Sequence, residues 1–202
     1  MQIVFALISA YLLGSIPTSY LVGKLLARID LREHGSKNLG ATNTVRVLGW
    51  KYGIPVLLLD AGKGTIAAVF ISRFAGDQPW MPLVVGTAAI LGHVFTVFLK
   101  FKGGKGVATA AGVLLGVAPV PIGICVILWL VVVLVSGYVS LGSIIAAISF
   151  PIVTRIFDPH DPYVLVAGTV LASLILYTHR TNIRRLLDGT ESRFGDRKKK
   201  EA

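Results

Sequence analysis

Seven stretches of almost uninterrupted apolar residues run through this chain, at 3–27, 53–74, 81–99, 106–118, 120–135, 139–157 and 163–178. A bilayer span needs about 20 mostly apolar residues, because the hydrocarbon core is about 30 Å thick. Runs of this length and spacing leave room for several spans and for no separate soluble domain. The composition agrees: 54% of residues are hydrophobic and 15% are charged, and the mean hydropathy is +0.74. A soluble domain of this size needs more charge on its surface. The expected fold is therefore all-α, a polytopic helical bundle of about seven transmembrane helices forming one membrane-embedded domain over residues 1–202. The first run has no basic segment before it and continues to Lys24, so it reads as a retained span rather than a cleaved leader. The fourth run is short. It either joins the fifth as one long helix or turns at Pro119 and Pro121, and proline favours the turn.

Charge gives an independent check on sidedness. The net charge is +10. In a soluble protein that would suggest nucleic acid; here it is the expected signature of cytoplasmic loops enriched in Lys and Arg, and no nucleic-acid partner is expected. With seven spans and the N-terminus outside, the cytoplasmic segments are 28–52, 100–105, 136–138 and everything from His179 onward. Of 20 Lys and Arg, Arg73 and Arg155 then lie outside, Lys63 lies within a span and Lys24 near the cytoplasmic end of one. Merging the fourth and fifth runs would move the Arg-rich tail outside, so the bias favours an odd number of spans and a cytoplasmic C-terminus. Residues 192–202 form a basic cytoplasmic tail whose 197–200 stretch suits anionic lipid. The one cysteine, Cys125, sits in an apolar run and suggests neither a disulfide nor a zinc site.

The cytoplasmic segments are too polar and too glycine-rich for plain spacers. The first carries REHGSKNLGATNTVRVLG over 32–49. Gly35, Gly40, Ser36, Asn38, Thr42 and Asn43 combine small residues with short hydrogen-bonding side chains. Glycine lets backbone amides approach an anion, and a following helix adds its positive end. Residues 41–48 are a candidate for that helix, with Arg46 about one turn in. A phosphate or acyl-phosphate site and a tight interfacial turn both fit this composition. The second segment reads KFKGGKGVAT over 100–109. It is no Walker A loop, because Lys105 is followed by Gly106. Gly103, Gly104 and Gly106 are nonetheless more than positive-inside anchoring requires, and Lys105 is the cation best placed to reach a phosphate. Asp60 and Lys63, three apart on one helix face, are expected to pair inside the bundle. His93, about two turns before Lys100, reads as a polar support for the glycine loop. The tail segment HRTNIRRLLDGTE begins at His179, a possible general base or an interfacial residue, and carries Asn182, Arg184 and Arg185 toward the same rim. No histidine has an aspartate five positions on, and there is no GxSxG, HExxH or ordered carboxylate cluster, so no metal is expected.

Five blocks, GSIPTSYLVG, GSKNLGATNTVRVLG, DAGKG, GHVFTVFLKFKGGKGVAT and HRTNIRRLLDGTE, occur in order from about residue 14 to residue 191. Together they resemble the PlsY-type acyl-phosphate:glycerol-3-phosphate acyltransferases of bacteria. The resemblance implies acyl transfer from acyl phosphate to sn-glycerol 3-phosphate, giving lysophosphatidic acid and phosphate in phospholipid biosynthesis. It places the protein in the bacterial plasma (inner) membrane, with its site facing the cytoplasm, supplied by an upstream acyl-phosphate-forming enzyme. Ser36 and Arg46 match the family's essential serine and arginine. Gly103, Gly104, Lys105 and Gly106 match its glycerol-3-phosphate loop. His179, Asn182 and Glu191 match its C-terminal residues, with Glu191 in a structural role. No cofactor is implied, since phosphate is already a good leaving group. The residues' expected work is positioning and charge stabilisation, with direct attack by the glycerol hydroxyl on the acyl carbonyl carbon. The donor's own phosphate, held by Ser36 and Asn38, is a candidate acceptor for the proton. A small anion transporter and a lipid-binding scaffold share the basic loops. A transporter would place its site at the midplane between repeats, and no repeat is visible here.

Overall fold

The computed structural model describes residues 1–194, and the 197–200 basic stretch lies outside them. Ten α-helices account for almost all regular structure in those residues: α1 (Gln2–Ser15), α2 (Thr18–Leu26), α3 (Ala41–Leu48), α4 (Trp50–Val69), α5 (Met81–Val94), α6 (Val107–Val117), α7 (Pro119–Ser136), α8 (Val139–Phe157), α9 (Pro162–Thr178) and α10 (Arg180–Leu187). The expected all-α fold is what the described residues adopt. Each apolar run has become helical. Five units are long and apolar enough to cross a membrane, and α9 with α10, bent by 60°, makes a sixth. The seventh, α6, has 11 residues, about 16 Å at 1.5 Å per residue and roughly half a hydrocarbon core.

Two breaks in these runs have physical causes. The fourth and fifth runs are separate helices, and the turn falls at Ala118. Pro119 then opens α7 at a position where its missing N–H costs nothing. The first run breaks between α1 and α2 at Ile16 and Pro17. A break inside a span frees backbone carbonyls that lipid cannot satisfy. Here the Ser15 carbonyl accepts from Thr96 Oγ1 at 2.6 Å, and the Ile16 carbonyl accepts from Lys63 Nζ at 3.2 Å.

Two helix pairs organise the bundle, α1 with α5 and α4 with α6, beside a sheaf of α7, α8 and α9. The α4–α6 crossing is close because Gly64 lies on the Thr109 backbone and Gly112 on the Ala61 carbonyl; a side chain at either would force the helices apart. One apolar cluster joins α6 to α9 through Val113, Leu114, Ile122, Phe150, Val164 and Leu171. Large aliphatic residues such as Leu58, Val131, Leu134 and Ile152 point outward instead, as lipid-facing surfaces require.

Candidate active site

The segment between α2 and α3 is built around buried anchors. Leu31 and Leu39 are buried, and Asp30 is held by Arg32 and Lys24 at 2.7 and 3.4 Å. The Arg32 guanidinium hydrogen-bonded to Asp30 keeps that carboxyl well below the usual carboxylate range. Asn43, in the first turn of α3, ties the loop together. Its amide donates to the Leu31 and His34 carbonyls, both at 3.1 Å, and its oxygen accepts from the Ser36 N–H at 2.8 Å. Gly35 turns with φ +61°, and a Cβ there would collide with the Asn43 oxygen. Glycine is therefore required on both counts. The result is a loop that satisfies itself through Asn43. Among the described residues, Ser36, Asn38, Thr42 and Arg46 make no side-chain hydrogen bond with the protein.

These groups face a cavity of about 590 Å³. Its polar end is lined by Ser36, Asn38, Thr42 and Arg46 from the first loop and α3, Lys105 from the glycine loop, and His179, Asn182, Arg185 and Glu191 from the tail. Its other end runs between α6, α7, α8 and α9, past Trp129 and Ile175 to Cys125 and Phe150. The polar end is tied together by one network. Glu191 accepts from Ser140 Oγ (2.7 Å), Asn182 Nδ2 (2.6 Å) and Arg185 Nε (2.6 Å). The Asn182 oxygen in turn accepts from the Lys105 ammonium. Burial favours the neutral form of Glu191, and the three hydrogen bonds outweigh it, so its pKa falls below normal. Burial pushes the Lys105 pKa down to about 8; Glu191 opposes this, while Arg185 and Arg46 add to it. Arg46 is held below its ordinary value by burial too, with Glu191 supporting its charge. Three cations thus surround one carboxylate, leaving positive charge for an anionic ligand. His179 is 2% exposed, and its Nδ1 lies 2.8 Å from the Ile175 carbonyl. A carbonyl only accepts, so Nδ1 carries the proton and Nε2 is left as an acceptor.

The chain matches the family described as glycerol-3-phosphate acyltransferase over residues 4–189. It belongs to that family. The glycerol-3-phosphate acyltransferase of Chlorobaculum tepidum is 47% identical, over 93% of this chain and 94% of the relative. That of Chlorobium luteolum is 45% identical, over 96% and 97%. Among solved structures, PlsY (YgiH), an integral membrane glycerol 3-phosphate acyltransferase, is similar in two forms. Its glycerol 3-phosphate form superposes with a TM-score of 0.89 at 45% identity, covering 96% of each chain. Its lysophosphatidic acid form gives 0.87 at 43% identity with the same coverage.

Within this membrane acyltransferase, most residues singled out from the sequence converge on the polar end of the cavity. Three depart from expectation. Asn43 lines the cavity, yet both amide hydrogens that a phosphate would need are committed to the loop. Gly103 and Gly104 do not line it. They lie on the end of α5, where their N–H groups donate to the Val94 and His93 carbonyls at 3.0 Å. A Cβ on Gly104 would strike the His93 ring and the Leu39 carbonyl. These glycines serve close packing that delivers Lys105 and Gly106 to the cavity. Asp60 and Lys63 pair at 2.8 Å, and His93 Nδ1 sits 2.8 Å from Lys63 Nζ and 3.5 Å from Asp60. Thr18 Oγ1 adds a 2.6 Å bond to Asp60. This buried cluster joins the broken first span to the support beneath the glycine loop, with Asp60 and His93 also reaching the cavity wall. Two features are not legible in the sequence residue by residue: the Ser140 hydroxyl and which apolar side chains line the cavity. Ser140 looks like any small residue of a span, and an apolar lining is indistinguishable from an apolar core in sequence.

Proposed function

We propose that the chain transfers a fatty acyl group from acyl phosphate to the hydroxyl of sn-glycerol 3-phosphate, releasing lysophosphatidic acid and phosphate. The observation that carries this reading is the cavity's two-ended chemistry. Unpartnered donors and excess positive charge gather at one end, and an apolar channel between membrane helices forms the other. The two substrates pose that requirement: both are anions, and one has a fatty tail. Arg46 and Lys105 take the dianionic phosphate of glycerol 3-phosphate. Ser36 and Asn38, with the Gly35 and Gly40 backbone, hold the acyl phosphate. Thr42 adds a hydroxyl to the same wall. Asn182 and Glu191 orient Lys105 through the hydrogen bonds described above.

In the reaction, the glycerol hydroxyl oxygen attacks the carbonyl carbon. The C–O bond to phosphate breaks, and the hydroxyl proton leaves with the departing phosphate or by way of His179 Nε2. Cationic neighbours bring two anions together and stabilise the developing oxyanion. Ser36 acts as a phosphate donor rather than a nucleophile, so no acyl-Ser36 species forms. The loop, tail and Lys/Arg distribution support a plasma-membrane protein of seven membrane-embedded helical units, the short α6 among them, with the N-terminus outside and this site at the cytoplasmic face. The acyl phosphate comes from an upstream acyl-phosphate-forming enzyme.

The test is purified protein with acyl phosphate and glycerol 3-phosphate, following phosphate release and lysophosphatidic acid. Release dependent on both substrates is expected. Anion uptake into liposomes without release would overturn the reading, and a trapped acyl-Ser36 adduct would overturn the direct attack.

A further inference from the structure

The apolar half of the cavity has a definite floor. On α8 the outermost residue lining it is Phe150, and on α9 it is Gly168. The two touch: a Cβ built on Gly168 would sit 2.6 Å from both Cδ1 and Cε1 of the Phe150 ring. Phe150 is 3% exposed. It belongs to one buried apolar cluster with Val113, Ala118 and Val164, none of which lines the cavity, while Ile122 and Leu171 of the same cluster line it together with the ring.

We propose that the Phe150–Gly168 contact sets how long an acyl chain the enzyme accepts, the ring forming the stop and the glycine allowing it to lie back. The inference rests on the acyl-transfer reading above. Distance supports it. From His179 to Gly168 along α9 is roughly 16 Å, and from Ser140 to Phe150 along α8 is roughly 15 Å, at 1.5 Å per residue, all four residues lining the cavity. A fully extended chain advances roughly 1.2 Å per bond, so the channel holds about 12 to 14 bonds of a straight tail. A floor at that depth meets the end of a long acyl chain and leaves a short one untouched. Gly168 is decisive because the least bulky replacement already drives the ring toward the channel. The buried cluster to which the ring belongs resists compression.

The test is the chain-length profile of the purified full-length enzyme, kcat/KM for 12-carbon against 18-carbon acyl phosphate at fixed glycerol 3-phosphate. Gly168→Ala is expected to lower the 18-to-12 ratio roughly tenfold, the scale on which a methylene-sized clash discriminates in an apolar pocket. Phe150→Ala is expected to raise it. The 12-carbon rate in the same preparation reports that the variant is folded. If Gly168→Ala loses that rate too, Phe150→Ala alone decides. A ratio within twofold of the unmodified enzyme overturns the inference while leaving acyl transfer intact. Absence of transfer from either donor by the unmodified enzyme overturns the functional reading instead.

Discussion

The two glycine-rich loops look alike in sequence and are built on opposite plans. The first is bound to itself. Asn43 closes it, Gly35 turns it, and the Ser36, Asn38 and Thr42 side chains face the cavity without a partner among the described residues. The second is bound to its neighbours. Gly103 and Gly104 press onto α5, and the lysine that follows is handed to Asn182. Glycine provides a backbone conformation in one and proximity in the other. On the proposed function this difference would be a division of labour: the first loop would offer several modest donors to the acyl phosphate, and the second one strong cation to glycerol 3-phosphate.

The sharpest way to break this comparison is at Lys105. Lys105→Ala is expected to lower kcat/KM for glycerol 3-phosphate by roughly 100- to 1000-fold, within the scale of removing one partner of a buried, hydrogen-bonded charge pair. The KM for acyl phosphate should move only a few-fold. Steady-state kinetics with each substrate varied in turn decides it. Equal losses for both would mean that the loops share one ligand.

The next test sets Asn43→Ala against Gly104→Ala. The first removes three hydrogen bonds, of which the one to the Leu31 carbonyl is buried and the other two part-buried, so about 1–3 kcal/mol is expected for the buried carbonyl left unsatisfied. The second overpacks the loop against His93, at about 1–3 kcal/mol. Both should lower the unfolding temperature in detergent. They should part in kinetics, with Asn43→Ala raising the KM for acyl phosphate and Gly104→Ala raising that for glycerol 3-phosphate. The same KM rising in both would erase the distinction.

These tests turn on what residue identity alone conveys. The helices were legible, because an apolar run in this setting has few alternatives, and α3 falls where the loop's small residues and Arg46 place it. Ser36, Arg46, Lys105, His179 and Asn182 were legible as polar groups able to reach one rim of the bundle, and all five line one cavity. What was not legible is direction. Glycine reads the same whether its missing Cβ clears its own loop, as at Gly35, or a neighbouring helix, as at Gly104. Asparagine reads the same whether its amide faces an open cavity, as at Asn38, or the backbone, as at Asn43. The break at Ile16 and Pro17 was hidden for a related reason: its compensation comes from Lys63 and Thr96, far away in sequence.

Acidity offers a milder probe of the second loop. Burial brings the Lys105 pKa down to about 8. Below that pH the ammonium is present, and above it the charge is lost. The KM for glycerol 3-phosphate should therefore climb as pH rises past 8, by up to about tenfold per unit, while the KM for acyl phosphate stays flatter. Lys105→Arg should push the climb to higher pH, since guanidinium keeps its proton. A rise of the same steepness in the arginine variant would assign the titration to another group.

The smallest expected effect concerns the network that aims Lys105. Glu191 receives three donors, so removing one leaves two in place. Ser140→Ala should cost about 0.5–1.5 kcal/mol, the net worth of one hydrogen bond, and change the KM for glycerol 3-phosphate only a few-fold. Asn182 has no such reserve, because its amide holds Glu191 and its oxygen holds Lys105. Asn182→Ala should approach the Lys105→Ala loss and carry the same preference for glycerol 3-phosphate over acyl phosphate. The ratio of these two effects measures how far the second loop depends on the tail to place its one cation. If Ser140→Ala were as damaging as Asn182→Ala, the carboxylate rather than the amide would be the element that positions the lysine.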